Sequence, residues 1–152
     1  MALAPPKGFE GFVPYLCVSP AAEAISFYQR AFGAGEDFRI AAPGDQVGHA
    51  ELTIHGAKIM LSDAWPDMGV HDPKHFGGNL VALHLYVDDV DAVVEKAVAA
   101  GCALSKPVQD EFYGDRSGMV TCPFGHRWSF ATHIEDVPPD ALARRAKEMF
   151  GA

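Results

Sequence analysis

Residues 16 to 62 recur, in pattern, at residues 85 to 131, at a constant offset of 69 positions. The offset aligns Gly56 with Gly125, Val18 with Val87, Lys58 with Arg127, Ile59 with Trp128 and Leu61 with Phe130. Two copies of one supersecondary unit leave few topologies open, because each copy must bury equivalent faces. Each copy reads as an apolar strand (Phe12 to Val18; Val81 to Val87) followed by an amphipathic helix (Ala21 to Phe32; Val90 to Ala100). Extended segments then close in a hairpin at a glycine. The unit is βαβββ, present twice, and the fold class is α+β.

The helices rest on period. Ala24, Ile25, Phe27, Tyr28, Ala31 and Phe32 form one stripe, with Ser19 placed to cap its start and Gly33 to stop it. Val90, Val93, Val94, Ala97 and Val98 form the second, with Asp88 or Asp89 as cap and Gly101 as stop. Residues 47 to 54 alternate instead: Ala50, Leu52 and Ile54 point one way, while His49, Glu51 and Thr53 point the other. Ala64 to Asn79, with Trp65, Pro66, Gly69, Pro73, Gly77 and Gly78, has no period and reads as a connection. Pro138 and Pro139 lead into a short helix bearing Leu142, Ala146, Met149 and Phe150.

These boundaries predict one domain over 1–152: module one at about 11–63, the connection at 64–79, module two at about 80–133, and a C-terminal helix at 138–150. A chain of 152 residues buries roughly 70% of its unfolded surface and needs no disulfide or metal staple. The net charge of −8, with no basic run, argues against a nucleic-acid face and against an anionic membrane surface. No apolar run approaches the ~18 residues that span a bilayer, and the N-terminus lacks a signal-peptide pattern. Cys17, Cys102 and Cys122 are odd in number and show no metal spacing, as reduced thiols of a cytoplasmic protein would.

Tyr15-Leu16-Cys17-Val18 followed by Ala24-Ile25-Ser26-Phe27-Tyr28-Gln29-Arg30-Ala31-Phe32-Gly33-Ala34 resembles the first module of the glyoxalase/bleomycin-resistance family, within the vicinal oxygen chelate superfamily. His84-Leu85-Tyr86-Val87-Asp88-Asp89-Val90-Asp91, Phe112 to Gly118 and Pro123-Phe124-Gly125-His126-Arg127-Trp128 look like the branch called PhnB-like. The resemblance implies two βαβββ modules pairing into a curled mixed sheet with helices on the outer face. It also implies a small-molecule cup and a homodimer. It does not imply one chemistry, because one scaffold hosts lyases, dioxygenases, thiol transferases and drug-sequestering proteins.

Metal-dependent members place His, Glu or Gln at one position on the first and last strand of each module. Here those positions fall on Val13, Met60, Ala82 and Ser129. A valine, a thioether, a methyl and one hydroxyl do not supply the N and O donors that a divalent ion needs. Neither a metal nor another cofactor is therefore expected, and glyoxalase activity is not carried over.

By parity, His84 faces the same way as Ala82, and Tyr15, Tyr86 and Lys58 share the polar face with His49, Glu51 and Thr53. Two readings stand for His84, His49 and Glu51: an acid–base or relocated metal site, or a hydrogen-bonded lining that orients a ligand. The expected ligand-binding set is Tyr15, His49, Glu51, Met60, His84, Tyr86, Arg116 and Ser129.

Other candidates have plainer readings. His71 and His75 flank Pro73 and read as a surface loop. Asp115 and Arg116 read equally as an anion clamp or as turn chemistry with a local ion pair. His126 turns with Trp128 toward the helices and reads as structural, with Trp128, Phe130 and Ile59 as core. Cys122 has no neighbouring base and reads as a spectator thiol. The expected function is metal-free binding of a small aromatic or cationic molecule, Tyr15, Tyr86 and Trp65 supplying aromatic surface. The alternative is a lyase or isomerase using His84, His49 and Glu51, with or without a relocated divalent metal.

Overall fold

The computed structural model describes residues 1–151. The element order is β1 (Tyr15–Cys17), α1 (Ala21–Phe32), β2 (Gly35–Ala41), β3 (Val47–Ile54), β4 (Ala57–Ser62), β5 (Ala82–Tyr86), α2 (Val90–Ala100), β6 (Ala103–Asp110), β7 (Asp115–Thr121), β8 (Arg127–His133) and α3 (Pro139–Phe150). This is βαβββ twice, with a helix appended. The ladders form two four-stranded sheets with equivalent orders, β1-β4-β3-β2 and β5-β8-β7-β6. In each, the first strand pairs parallel with the last and the other pairs are antiparallel. The chain divides into two compact units. The first is Met1–Leu80 with the hairpin residues Phe124–His126; the second contains the remaining described residues.

In the first unit, α1 buries Ala21, Ala24, Ile25, Phe27, Tyr28, Ala31 and Phe32, the whole expected stripe plus its first residue. These side chains face a sheet surface of Ala50, Leu52, Ile54, Ile59 and Leu61, all at 3% exposure or less. Phe124 completes the cluster, its ring 5.8 Å from Phe27 and 6.2 Å from Tyr28. Gly33 adopts φ 67° and ends the helix as expected. Ser19 is not the cap: residue 20 is the N-cap and makes no side-chain cap bond, while the Ser19 hydroxyl accepts from Ala64 N–H. The Ala21 N–H goes instead to the buried carboxylate of Asp63.

The first strand is shorter than its apolar run suggests. It begins at Tyr15, because Pro14 has no N–H to give a ladder, although its carbonyl accepts from Met60 N–H at 2.9 Å. Phe12, predicted within the strand, is fully exposed ahead of it. Likewise β5 spans Ala82–Tyr86 rather than Val81 to Val87. The aperiodic connection holds two short 3₁₀ turns, Pro66–Met68 and Pro73–Phe76.

In the second unit, α2 packs on β6, β7 and β8. Asp89 caps it, accepting from Ala92 N–H at 3.0 Å. Val90, Val94 and Ala97 are buried, but Val98 is 40% exposed and lies at the edge of the stripe. Trp128 and Phe130 are fully buried, and their rings stack 6.4 Å apart. The arm after β8 crosses the β6–β7 hairpin, where Ile134 and Glu135 N–H both donate to Gly114 O at 2.9 Å. Arg145 of α3 then forks to Glu135 and reaches Phe112 O, and Phe150 meets Phe112 edge to face. No helix among the described residues is long and apolar enough to cross a membrane.

Candidate functional site

In the first unit, alternation along β3 puts His49, Glu51 and Thr53 on the polar sheet face, and register brings β1 and β4 beside them. Tyr15 pairs with Met60, and Met60 with Glu51. His49 is held at both ring nitrogens: Nδ1 lies 2.9 Å from Tyr15 Oη and Nε2 lies 3.3 Å from Glu51 Oε1. Lys58 closes a second cluster on this face, donating to Asp37 at 2.8 Å and to Thr53 at 2.7 Å. The bond from Lys58, with one that the Thr53 hydroxyl donates at 2.6 Å, holds the Asp37 carboxyl below the usual carboxylate range.

In the second unit, parallel register sets His84 opposite Ser129, and the His84 Nδ1 lies 2.9 Å from the Ser129 hydroxyl. Tyr86 meets His84 edge to face at 5.2 Å and donates its hydroxyl to Asp115 Oδ2 at 2.7 Å. The other oxygen of Asp115 accepts from His133 Nδ1 at 2.8 Å, and His133 Nε2 reaches Asp136 at 2.8 Å. Asp115 is 5% exposed. Burial pushes its carboxyl up, yet bonds from His133 and Tyr86 outweigh that and leave it below the usual range. Reciprocally, the hydrogen bond to Asp115 raises the Tyr86 phenol. Bonds to Asp115 and Asp136 likewise raise the His133 imidazole. An open depression of 490 Å³ lies at the ends of β5 and β8, lined by Tyr86, Val87, Asp88, Thr132 and His133.

Farther along the same face, Glu111 accepts from Lys106, Ser117 and Gln109. Burial raises its carboxyl, but these donors bring it below its usual range.

His133 and Asp136 were not singled out from the sequence, and of the two readings left open for Asp115 and Arg116 neither named Tyr86 or His133 as the partners of Asp115. Counting by twos along β8 from Ser129 reaches His133, so parity held a signal for it. Nothing local pointed to the pairing of Asp115 with Tyr86. Arg116, an expected ligand contact, forks to both oxygens of Asp91 at 2.6 and 2.8 Å and donates to Asp110 at 2.8 Å. Its guanidinium ties α2 to β6, and the ion pair is not with Asp115.

His126 is buried between Asn79 Nδ2 and Cys17 O, each 3.0 Å away, and burial lowers its imidazole, in keeping with a structural role. His71 and His75 stack at 3.9 Å in the connection, where Asp72 caps the 3₁₀ turn through Lys74 and His75 N–H. Burial pushes the Cys17 thiol up to about 11 and that of Cys102 to about 12. Cys122 is buried.

The donor set at the four strand positions does not fit a divalent ion. Val13 precedes β1, Ala82 opens β5, Met60 lies on β4, and the Ser129 hydroxyl is engaged by His84. Among the described residues no group of three or more His, Cys, Asp or Glu side chains is disposed to hold a metal.

The comparisons agree with this architecture. The model of the Glyoxalase/Bleomycin resistance protein/Dioxygenase superfamily matches residues 12–130. An uncharacterized protein of Mycobacterium bovis is 40% identical over 132 residues, covering 85% of this chain and 87% of its own. The crystal structure of a gene product from Arabidopsis thaliana is 31% identical with a TM-score of 0.65, covering 81% of this chain and 98% of that one. The fosfomycin resistance protein FosX from Listeria monocytogenes, solved with Mn(II) and sulfate, shares the fold alone. It has a TM-score of 0.61 at 17% identity, with 90% of this chain and 98% of that one covered. The chain belongs to the glyoxalase/bleomycin resistance protein/dioxygenase superfamily.

Proposed function

We propose that this protein, a PhnB-like member of its superfamily, binds a small organic molecule on the polar sheet faces without a metal. The observation that carries the reading is the chemistry of the four strand positions. Where metal-dependent relatives present ligands, this chain presents Val13, Met60, Ala82 and a hydroxyl already bonded to His84. The surrounding groups suit orientation of a ligand. Tyr15, His49 and Glu51 are linked in one unit, and His84, Ser129, Tyr86 and Asp115 in the other. Tyr15 and Tyr86 are 54% and 57% exposed, which offers ring faces to an aromatic or cationic ligand. The net charge of −8 favours the cation. A homodimer in the cytoplasm completes the reading, and the free thiols of Cys17, Cys102 and Cys122 suit a reducing compartment.

The chain Tyr15–His49–Glu51 favours a second reading, proton transfer by His49 with Glu51. One experiment separates the two. Chelated protein is titrated with Mn(II), Zn(II) and Ni(II), and with an aromatic amine panel, by calorimetry and thermal shift. Ligand binding without an ion, and with no bell-shaped turnover, supports the binding protein. A stoichiometric ion lost in His84→Ala or His49→Ala overturns it.

A further inference from the structure

His133 is the last residue of β8, and two further elements reach its ring. β7 supplies Asp115 to Nδ1, and the arm that follows β8 supplies Asp136 to Nε2. β5 supplies Tyr86, which shares the Asp115 carboxylate, and His84 acts on that carboxylate through space. Asp88 and Thr132 line the depression beside it. An imidazole can donate from both nitrogens only when protonated. The two carboxylates together therefore select the charged form.

We propose that His133 is a proton-operated pin, joining the C-terminal arm to β7 and shaping the depression between Tyr86 and Thr132. Neutral His133 keeps one N–H. Asp115 is buried and Asp136 is fully exposed, so the proton stays on Nδ1 and the Asp136 contact is lost. Nε2 then carries a lone pair where it had donated to Asp136, and the first turn of the arm is left with the two backbone bonds to Gly114 O and the Arg145–Glu135 pair. The arm loosens locally without detaching. Protonation closes it again, so any molecule seated in the depression binds with an affinity linked to this one proton. This last consequence rests on the binding reading above; the pin itself does not.

The test follows the His133 ring by nitrogen-15 NMR and, in the same samples, hydrogen exchange at Ile134 and Glu135, the amides bonded to Gly114 O. Exchange corrected for its intrinsic pH dependence is expected to rise about two- to fivefold between about pH 6 and about pH 9, the scale of one exposed ion pair. The rise should share the midpoint of the ring titration. In Asp136→Asn and His133→Gln the rise disappears, and in Asp136→Asn the ring still titrates. Asp136 is exposed, so that variant folds even where Asp115→Asn does not. Exchange that ignores the ring titration, or that keeps its pH dependence in His133→Gln, overturns the pin. Failure to find a ligand would leave these readouts intact.

Discussion

Asp63 caps helix α1 from 42 residues further along the chain, its Oδ1 accepting the Ala21 N–H at 3.0 Å. Its second oxygen accepts the Val47 N–H at 2.7 Å. One buried carboxylate thus satisfies the start of α1 and the start of β3, which the neutral Ser19 hydroxyl, turned to Ala64, does not. Asp63→Ala strands two backbone donors and is expected to cost about 2–4 kcal/mol in chemical denaturation. Asp63→Asn keeps one acceptor and should cost less. Equal losses in the two variants would show that the cap is not the source.

Gly114 has φ 100°, and a Cβ there would overlap the Glu135 carbonyl oxygen and press on Val137 at 3.0 Å. Gly114→Ala should destabilise by about 1–3 kcal/mol and speed exchange along the arm. Gly44→Ala is the control: its φ is 73° with nothing within 4 Å, so backbone strain acts there without the clash. The difference in denaturation midpoint between the two variants measures the crossing of arm and hairpin.

Asp115 has a folded value below its ordinary 3.8. Its contribution to stability is therefore present above pH 3.8 and is lost as pH falls through the depressed value. Thermal unfolding against pH should show a steeper acid limb for the native chain than for Asp115→Asn. Identical limbs would mean that the Tyr86 and His133 bonds do not survive in solution.

His126 is lowered from its ordinary 6.5 because burial disfavours the cation. The neutral ring donates from Nε2 to Cys17 O and accepts at Nδ1 from Asn79 Nδ2, an arrangement that a second ring proton breaks. Its contribution is complete above pH 6.5 and declines as pH falls through the lowered folded value. A ring titration midpoint at or above 6.5, read by NMR, would contradict this assignment.

Arg116→Ala should leave small-molecule affinity unchanged, since the fork is spent on Asp91 and Asp110, and should move the denaturation midpoint little. Trp128→Ala, in contrast, removes a side chain with no exposed surface and is expected to cost about 3–5 kcal/mol. A loss of ligand affinity in Arg116→Ala at unchanged stability would restore the anion clamp.

The doubled βαβββ order, both central helix ranges, and the burial of Ile59, Trp128 and Phe130 were legible in the amino-acid sequence alone. Each is written in a local period, 3.6 or 2 residues, that survives whatever the chain packs against. Parity also placed His49, Glu51 and Tyr15, and His84 with Ser129, on the polar faces. Only the tertiary structure decided which groups meet: Asp63 with Ala21 and Val47, Arg116 with Asp91 and Asp110, and Tyr86 and His133 on one Asp115 carboxylate. These partners lie from 6 to 42 residues apart in the chain. Hydrogen bonding and charge pairing are set by distance in space, and no periodicity encodes that.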